Sequence, residues 1–266
     1  AVAKLQESAS TAARARDTVG EAISLQMLSD VYVRLGKTKD AVQAIEAAVP
    51  LFKQAKDKAG EAGAWIRLAT LQESTGAVAA ALTSYRTAAV LQTDIGDKFG
   101  AGESTLSVAM LLEDTDPSGA LEAAKSAREL LDNPERPQWK ATALIVLGNM
   151  HSSLGHHHEA VRCFVDAANN FHAVGLVSLE SEAVGKLAKS YHSVGQYSLA
   201  ISYYGQALDL AKKVGDKGRE GAMLLSLGSV SEELGQHDSA QAHFRNAEKV
   251  FTASGDRESR ATALQS

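Results

Sequence analysis

The sequence repeats itself. Displaced by 40 residues, it matches segments that begin near Gly20, Gly60, Gly100, Trp139, Leu179 and Arg219, with one step of 39 and the others of 40. A period of this length restricts the chain to arrays in which each unit is one supersecondary element buried against its neighbours. Leu28, Leu68, Val108, Leu147, Leu187 and Leu227 share one phase. The residue that follows each is small: Ser29, Ala69, Ala109, Gly148, Ala188 and Gly228. Small side chains there let a neighbouring helix approach closely. A glycine recurs at Gly36, Gly76, Gly155, Gly195 and Gly235, and an alanine five residues on at Ala41, Ala81, Ala160, Ala200 and Ala240. Ile45, Tyr85, Phe164, Tyr204 and Phe244 follow, each with an alanine three residues later.

Steps of three and four residues place these positions on single helix faces, and the glycine suits a helix stop in the left-handed region. Each unit therefore reads as helix, tight turn, helix and a short loop, the loop carrying Gly-Asp at Gly96-Asp97, Gly215-Asp216 and Gly255-Asp256. Composition agrees. Of the four prolines, three (Pro117, Pro134, Pro137) fall in one stretch, so helices have uninterrupted room elsewhere. The fold class is all-α.

The third unit departs from the pattern. Asp116 stands at the glycine phase and Pro117 follows, which suits an N-cap with proline at the first helical position. Its closing loop, residues 132–137, contains two prolines and cannot extend a helix. This is either a tolerated loop variation or a change of superhelical angle. The array also reads as cut at both ends. Residues 1–19 resemble the second helix of a preceding unit, six repeats follow at 20–59, 60–99, 100–138, 139–178, 179–218 and 219–258, and residues 259–266 resemble the start of another.

These small-residue, Gly and Ala phases resemble the tetratricopeptide repeat. The longer period and the Gly-Asp loops are similar to the Pins/LGN-type adaptors, and Leu147-Gly148-Asn149 with Leu154-Gly155 resembles their Leu-Gly-Asn signature. The resemblance implies a right-handed superhelical solenoid of antiparallel helix hairpins, its first helices lining a concave groove for a protein or peptide segment. By that analogy the groove residues are Gln26, Asp30 and Arg34; Arg67, Thr70 and Glu73; Leu106, Met110 and Glu113; Ile145, Asn149 and Ser152; Lys186, Lys189 and His192; and Leu225, Ser229 and Glu232. The basic residue and asparagine four apart by which related arrays grip chaperone tails occur in no unit at the matching phases, which disfavours such a clamp.

No competing chemistry is legible. There is no phosphate-cradling glycine loop with its lysine, no nucleophile elbow and no helical zinc-protease motif. The expectation is a non-enzymatic scaffold without cofactor or metal. His156-His157-His158, with His151 nearby, carries the residues of a zinc or copper site but reads as a solvated turn. Cys163 rules out an intramolecular disulfide, fits a reducing compartment and reads as a small packed hydrophobe. Net charge is −5, with 27 basic and 32 acidic residues interspersed, so nucleic acid is a poor partner, and no apolar run suits membrane insertion. The reading is an adaptor in the cytoplasm. Two alternatives stand beside it: a structural subunit of a large assembly, such as a cytoskeletal complex, and a sensory region of a larger enzyme or regulator.

Overall fold

In a computed structural model that describes residues 1–255, the 40-residue period becomes a run of helices separated by short joints. The residues expected to open a further unit, 259–266, lie outside the described residues. Every regular element among the described residues is an α-helix. The chain divides into two compact units, residues 1–131 and 132–266.

The first unit holds α1 (Val2–Arg14), α2 (Thr18–Arg34), α3 (Thr38–Gln54), α4 (Lys58–Ser74), α5 (Val78–Asp94), α6 (Lys98–Leu112) and α7 (Pro117–Leu130). The second holds α8 (Pro137–Ser153), α9 (His157–Ala173), α10 (Val177–Ser193), α11 (Tyr197–Val214), α12 (Lys217–Glu233) and α13 (His237–Ser254). Within each unit successive helices pair: α2 with α3, α4 with α5 and α6 with α7, then α8 with α9, α10 with α11 and α12 with α13. Within each unit a hairpin packs on the next through α3 and α4, α5 and α6, α9 and α10, or α11 and α12, and α1 packs on α2.

Two kinds of joint alternate. Within a hairpin the first helix ends on Gly36, Gly76, Gly155, Gly195 or Gly235, each at a φ between +68° and +76° as the sequence required. At four joints that precede a first helix, a left-handed residue (Arg16, Lys56, Gly96 or Gly215) is followed by an aspartate, whereas Gly175 is followed by Leu176. Asp17, Asp57, Asp97 and Asp216 each cap the next first helix, their carboxylates accepting the N–H three residues on at 2.9 Å. The Gly-Asp loop thus ends one helix and starts another in two residues. Asp116 caps α7 in the same way, accepting from the Gly119 N–H at 3.0 Å with Pro117 at the first helical position, so α6 stops at Leu112. Pro50 lies within α3, leaving the Glu46 carbonyl without its usual donor.

The core follows the repeat phases. The Leu28 series and the alanines from Ala41 to Ala240 are buried throughout. In the first unit Ile45, Val49, Phe52, Leu68 and Leu71 form one cluster, against which the half-buried Trp65 packs. In the second unit Tyr204, Leu208, Leu224, Leu227 and Phe251 form another. Phe52, Phe164 and Phe171 are among the largest side chains fully withdrawn from solvent, and burying each stabilises the fold by about 1.5–3 kcal/mol. The small-residue phase serves the second helix of its own hairpin. A Cβ on Gly148 would stand 2.6 Å from the Phe164 ring, and one on Gly228 would stand 2.3 Å from the Phe244 ring. The hairpins with smaller or hydroxylated partners at that phase, Ile45, Tyr85 and Tyr204, carry Ser29, Ala69 and Ala188 opposite.

Candidate functional site

With the core phase assigned, the remaining faces of the first helices carry the side chains that could meet a partner. In the first unit α2 and α4 enclose a hollow of about 440 Å³, lined by Ser29, Asp30, Val33, Arg34, Ile66, Arg67, Thr70 and Leu71. The Arg67 guanidinium pairs with the Asp30 carboxylate, tying α4 to α2 across the hollow. Arg34, the last residue of α2, is exposed. Val33, Ile66 and Leu71 supply the apolar part of the lining.

One turn further along α4 a second polar group comes through from the back of the hairpin. The Tyr85 ring is buried on α5, but its hydroxyl lies 3.2 Å from Thr70 Oγ1 and donates to Glu73 Oε2 at 3.1 Å. Burial pushes the Tyr85 phenol above its ordinary pKa, and the Glu73 charge adds to the effect. Met110 on α6 is exposed, and Glu113 is the half-buried C-cap of that helix. Leu106 corrects an expectation. It shares the groove phase of Gln26 and Ile145, yet only 7% of it is exposed, and it belongs to the core.

In the second unit α10 and α12 enclose a hollow of the same volume, about 440 Å³. Lys186 and Lys189 stand on one side, and Arg219, Met223 and Ser226 on the other. Arg219 is firmly held. It lies 3.0 Å from Asp216 and 3.6 Å from Glu182, and it donates to the Ser178 carbonyl at 2.9 Å. Lys186 shares Glu182 at 3.8 Å. Tyr204 repeats the role of Tyr85: its ring is buried, its hydroxyl is hydrogen-bonded to Ser226, and burial raises its pKa.

His192 closes the far end of α10. Its Nε2 lies 2.9 Å from Glu233 Oε1 on α12, and its ring meets Tyr197 and Tyr204 edge-on, with centroids 5.8 and 6.4 Å away. The hydrogen bond with His192 holds the Glu233 carboxyl below its ordinary range.

The structure therefore brings Asp30, Arg34, Arg67 and Thr70 together in one hollow, joins Thr70 to Glu73 through Tyr85, and places Lys186 with Lys189 in the other. Gln26, Asn149, Ser229 and Glu232 line neither hollow. Ile145 and Leu225 pack partly against the core clusters, Ser152 is half-buried, the Ser229 hydroxyl turns back to the Leu225 carbonyl at 3.1 Å, and Glu232 meets His237 at 3.4 Å. Sequence reasoning missed Glu182, Arg219, Met223, Val33 and both tyrosine hydroxyls. Glu182 lies four residues before Lys186 and so on the same helix face, a signal the sequence does contain. The histidine run sits at the start of α9, with His156 as its N-cap residue and its ring 5.8 Å from that of His151. Cys163 is buried beside Phe164 on the same helix.

Residues 179–253 and 22–52 match families described as Tetratricopeptide repeat, and residues 75–213 match the family described as Soluble NSF attachment protein, SNAP. No curated protein matches the chain. Among solved structures, BtubC (BKLC) from P. vanneervenii is 16% identical with a TM-score of 0.68, over 80% of this chain and 91% of that one. The apo form of RapI is 13% identical with a TM-score of 0.69, over 98% of this chain and 79% of that one. A Rap protein complexed with Competence and Sporulation Factor is 18% identical with a TM-score of 0.60, over 93% and 74%. At these identities the likeness is one of fold.

Proposed function

The chain belongs to the tetratricopeptide-repeat family, and we propose that it acts as a non-enzymatic protein-binding scaffold that holds a segment of a partner protein against its first helices. One observation carries this reading. In each unit one pair of consecutive first helices, α2 with α4 and α10 with α12, encloses a hollow lined by charged, hydroxyl and apolar side chains, with Leu71 or Tyr204 reaching it from the core. Such a mixture suits an extended or helical segment anchored by apolar side chains and oriented by hydrogen bonds. The Rap relative, seen complexed with Competence and Sporulation Factor, offers a parallel within the fold.

A second reading, a structural subunit docking through lateral surfaces, is favoured by Val90, which is 62% exposed on the second helix α5. Hydrogen exchange separates the two. Peptides selected from a random display library on the immobilised protein are expected to slow exchange in α2, α4, α10 and α12. Protection confined to α3, α5, α11 and α13 would transfer the assignment to the lateral reading.

A further inference from the structure

We infer that the hollow between α10 and α12 is a subsite for an acidic residue that neighbours an apolar one in the bound segment. The inference rests on the scaffold reading above and names the chemistry of what is bound.

The charge distribution is the first argument. The whole chain is acidic, at −5, yet the hollow is basic. Lys186, Lys189 and Arg219 line it against Glu182 and Asp216, three cations to two carboxylates. The pairing decides where the excess lies. Asp216 is engaged by Arg219 at 3.0 Å, and Glu182 is shared between Arg219 at 3.6 Å and Lys186 at 3.8 Å. Lys189 is exposed and has no carboxylate partner among the described residues. The excess charge therefore sits on the α10 wall, at the unpaired Lys189, with Lys186 three residues away on the same helix face and held to Glu182 only at 3.8 Å. The hollow between α2 and α4 has the same sign, with Arg34 and Arg67 against Asp30. Local fields of this kind attract a ligand of opposite charge even on a protein whose net charge has the other sign.

The floor is the second argument. Gly185 has no side chain, so the surface there is the thioether of Met223, which would stand 3.2 Å from a Cβ at that position. Ala222, Met223 and Tyr204 continue it. A methionine floor is polarizable and adapts to apolar side chains of differing shape. A carboxylate on Lys186 and Lys189 therefore has space for an apolar neighbour beside it, within a hollow of about 440 Å³.

The test uses three pools of random dodecapeptides of the same apolar content, enriched in Asp/Glu, in Lys/Arg or in Asn/Gln, with binding to the intact protein read by fluorescence anisotropy. The acidic pool is expected to bind about tenfold more tightly than the neutral pool. Lys186→Glu with Lys189→Glu should abolish that preference and favour the basic pool, with helicity and melting unchanged. Ala222→Trp, which fills the hollow from an exposed position, should weaken all three pools. Equal binding of the acidic and neutral pools, or an acidic preference that survives both lysine changes, overturns the subsite. If binding is then still lost in Ala222→Trp, the scaffold reading stands without it. Failure of every pool to bind, or binding indifferent to all these changes, overturns both.

Discussion

At Lys56 the backbone adopts φ +59°, and at Arg16 φ +57°, a region in which a side chain crowds the following carbonyl. Both lie in the joint that elsewhere carries Gly96, Gly175, Gly215 and Gly255, all at φ between +71° and +78°. The strain is about 1–2 kcal/mol, whereas glycine's additional freedom in the unfolded chain costs about 0.4–1 kcal/mol. Relief wins. Lys56→Gly is therefore expected to stabilise the protein by about 1 kcal/mol, seen as a higher midpoint in urea at constant m-value. A lower midpoint would show that Lys56 makes a compensating contact. The same joint shows what the sequence offered and what it withheld. The turn glycines were legible from their period, but the residues Arg16-Asp17 and Lys56-Asp57 hid two members of the Gly-Asp series, because only backbone geometry reveals a non-glycine residue in that conformation.

Between helices the decisive quantity is the space left for a side chain. Alanine is ordinarily better than glycine in a helix by about 1 kcal/mol, and at Gly63 and Gly205 an added Cβ meets nothing within 4 Å. Gly63→Ala and Gly205→Ala should each raise the melting temperature. At Gly148 and Gly228 the Cβ would enter the Phe164 or Phe244 ring at 2.6 or 2.3 Å, and overpacking of about 1–3 kcal/mol outweighs propensity. Gly148→Ala and Gly228→Ala should lower it, and a uniform gain across all four sites would refute the proposed packing of glycine against phenylalanine. Helix pairs are also linked by polar contacts, and the link between His192 and Glu233 joins α10 to α12. The Glu233 carboxyl is depressed by that hydrogen bond from its ordinary value of 4.5. A depressed carboxyl contributes stability that is complete above its ordinary value and is lost as the pH falls through the lower folded value. The difference in melting temperature between the native protein and Glu233→Gln should therefore be constant at neutral pH and shrink below pH 4.5. A difference that ignores pH would assign the contact no role.

For the molecule as a whole, the period was enough to read the helical-hairpin architecture, because one phase of leucines and one of alanines fix the buried faces of every unit. Surface geometry was less legible. Leu106 shares its phase with half-buried residues in other units and is nonetheless core, in the unit where the turn at Asp116 shortens α6. Arg219 and Met223 join Lys186 only because α12 lies beside α10, a neighbour relation across some thirty residues that helical spacing within one element does not contain. The tyrosine hydroxyls were missed for a related reason: their rings satisfy the core phase, and the polar tip reaches the opposite face of the hairpin. The Gly96-Asp97 joint makes its neighbouring hairpins separable. Its two residues divide their duties, the first finishing the helix behind and the second starting the helix ahead. A cut between Gly96 and Asp97, or between Lys56 and Asp57, hands each fragment the terminus it needs. Segment 57–96 is thus a ready-made cassette: copied in tandem, it would meet itself at a complete Gly-Asp junction, and the array could lengthen or shorten by whole hairpins without any new cap having to be invented.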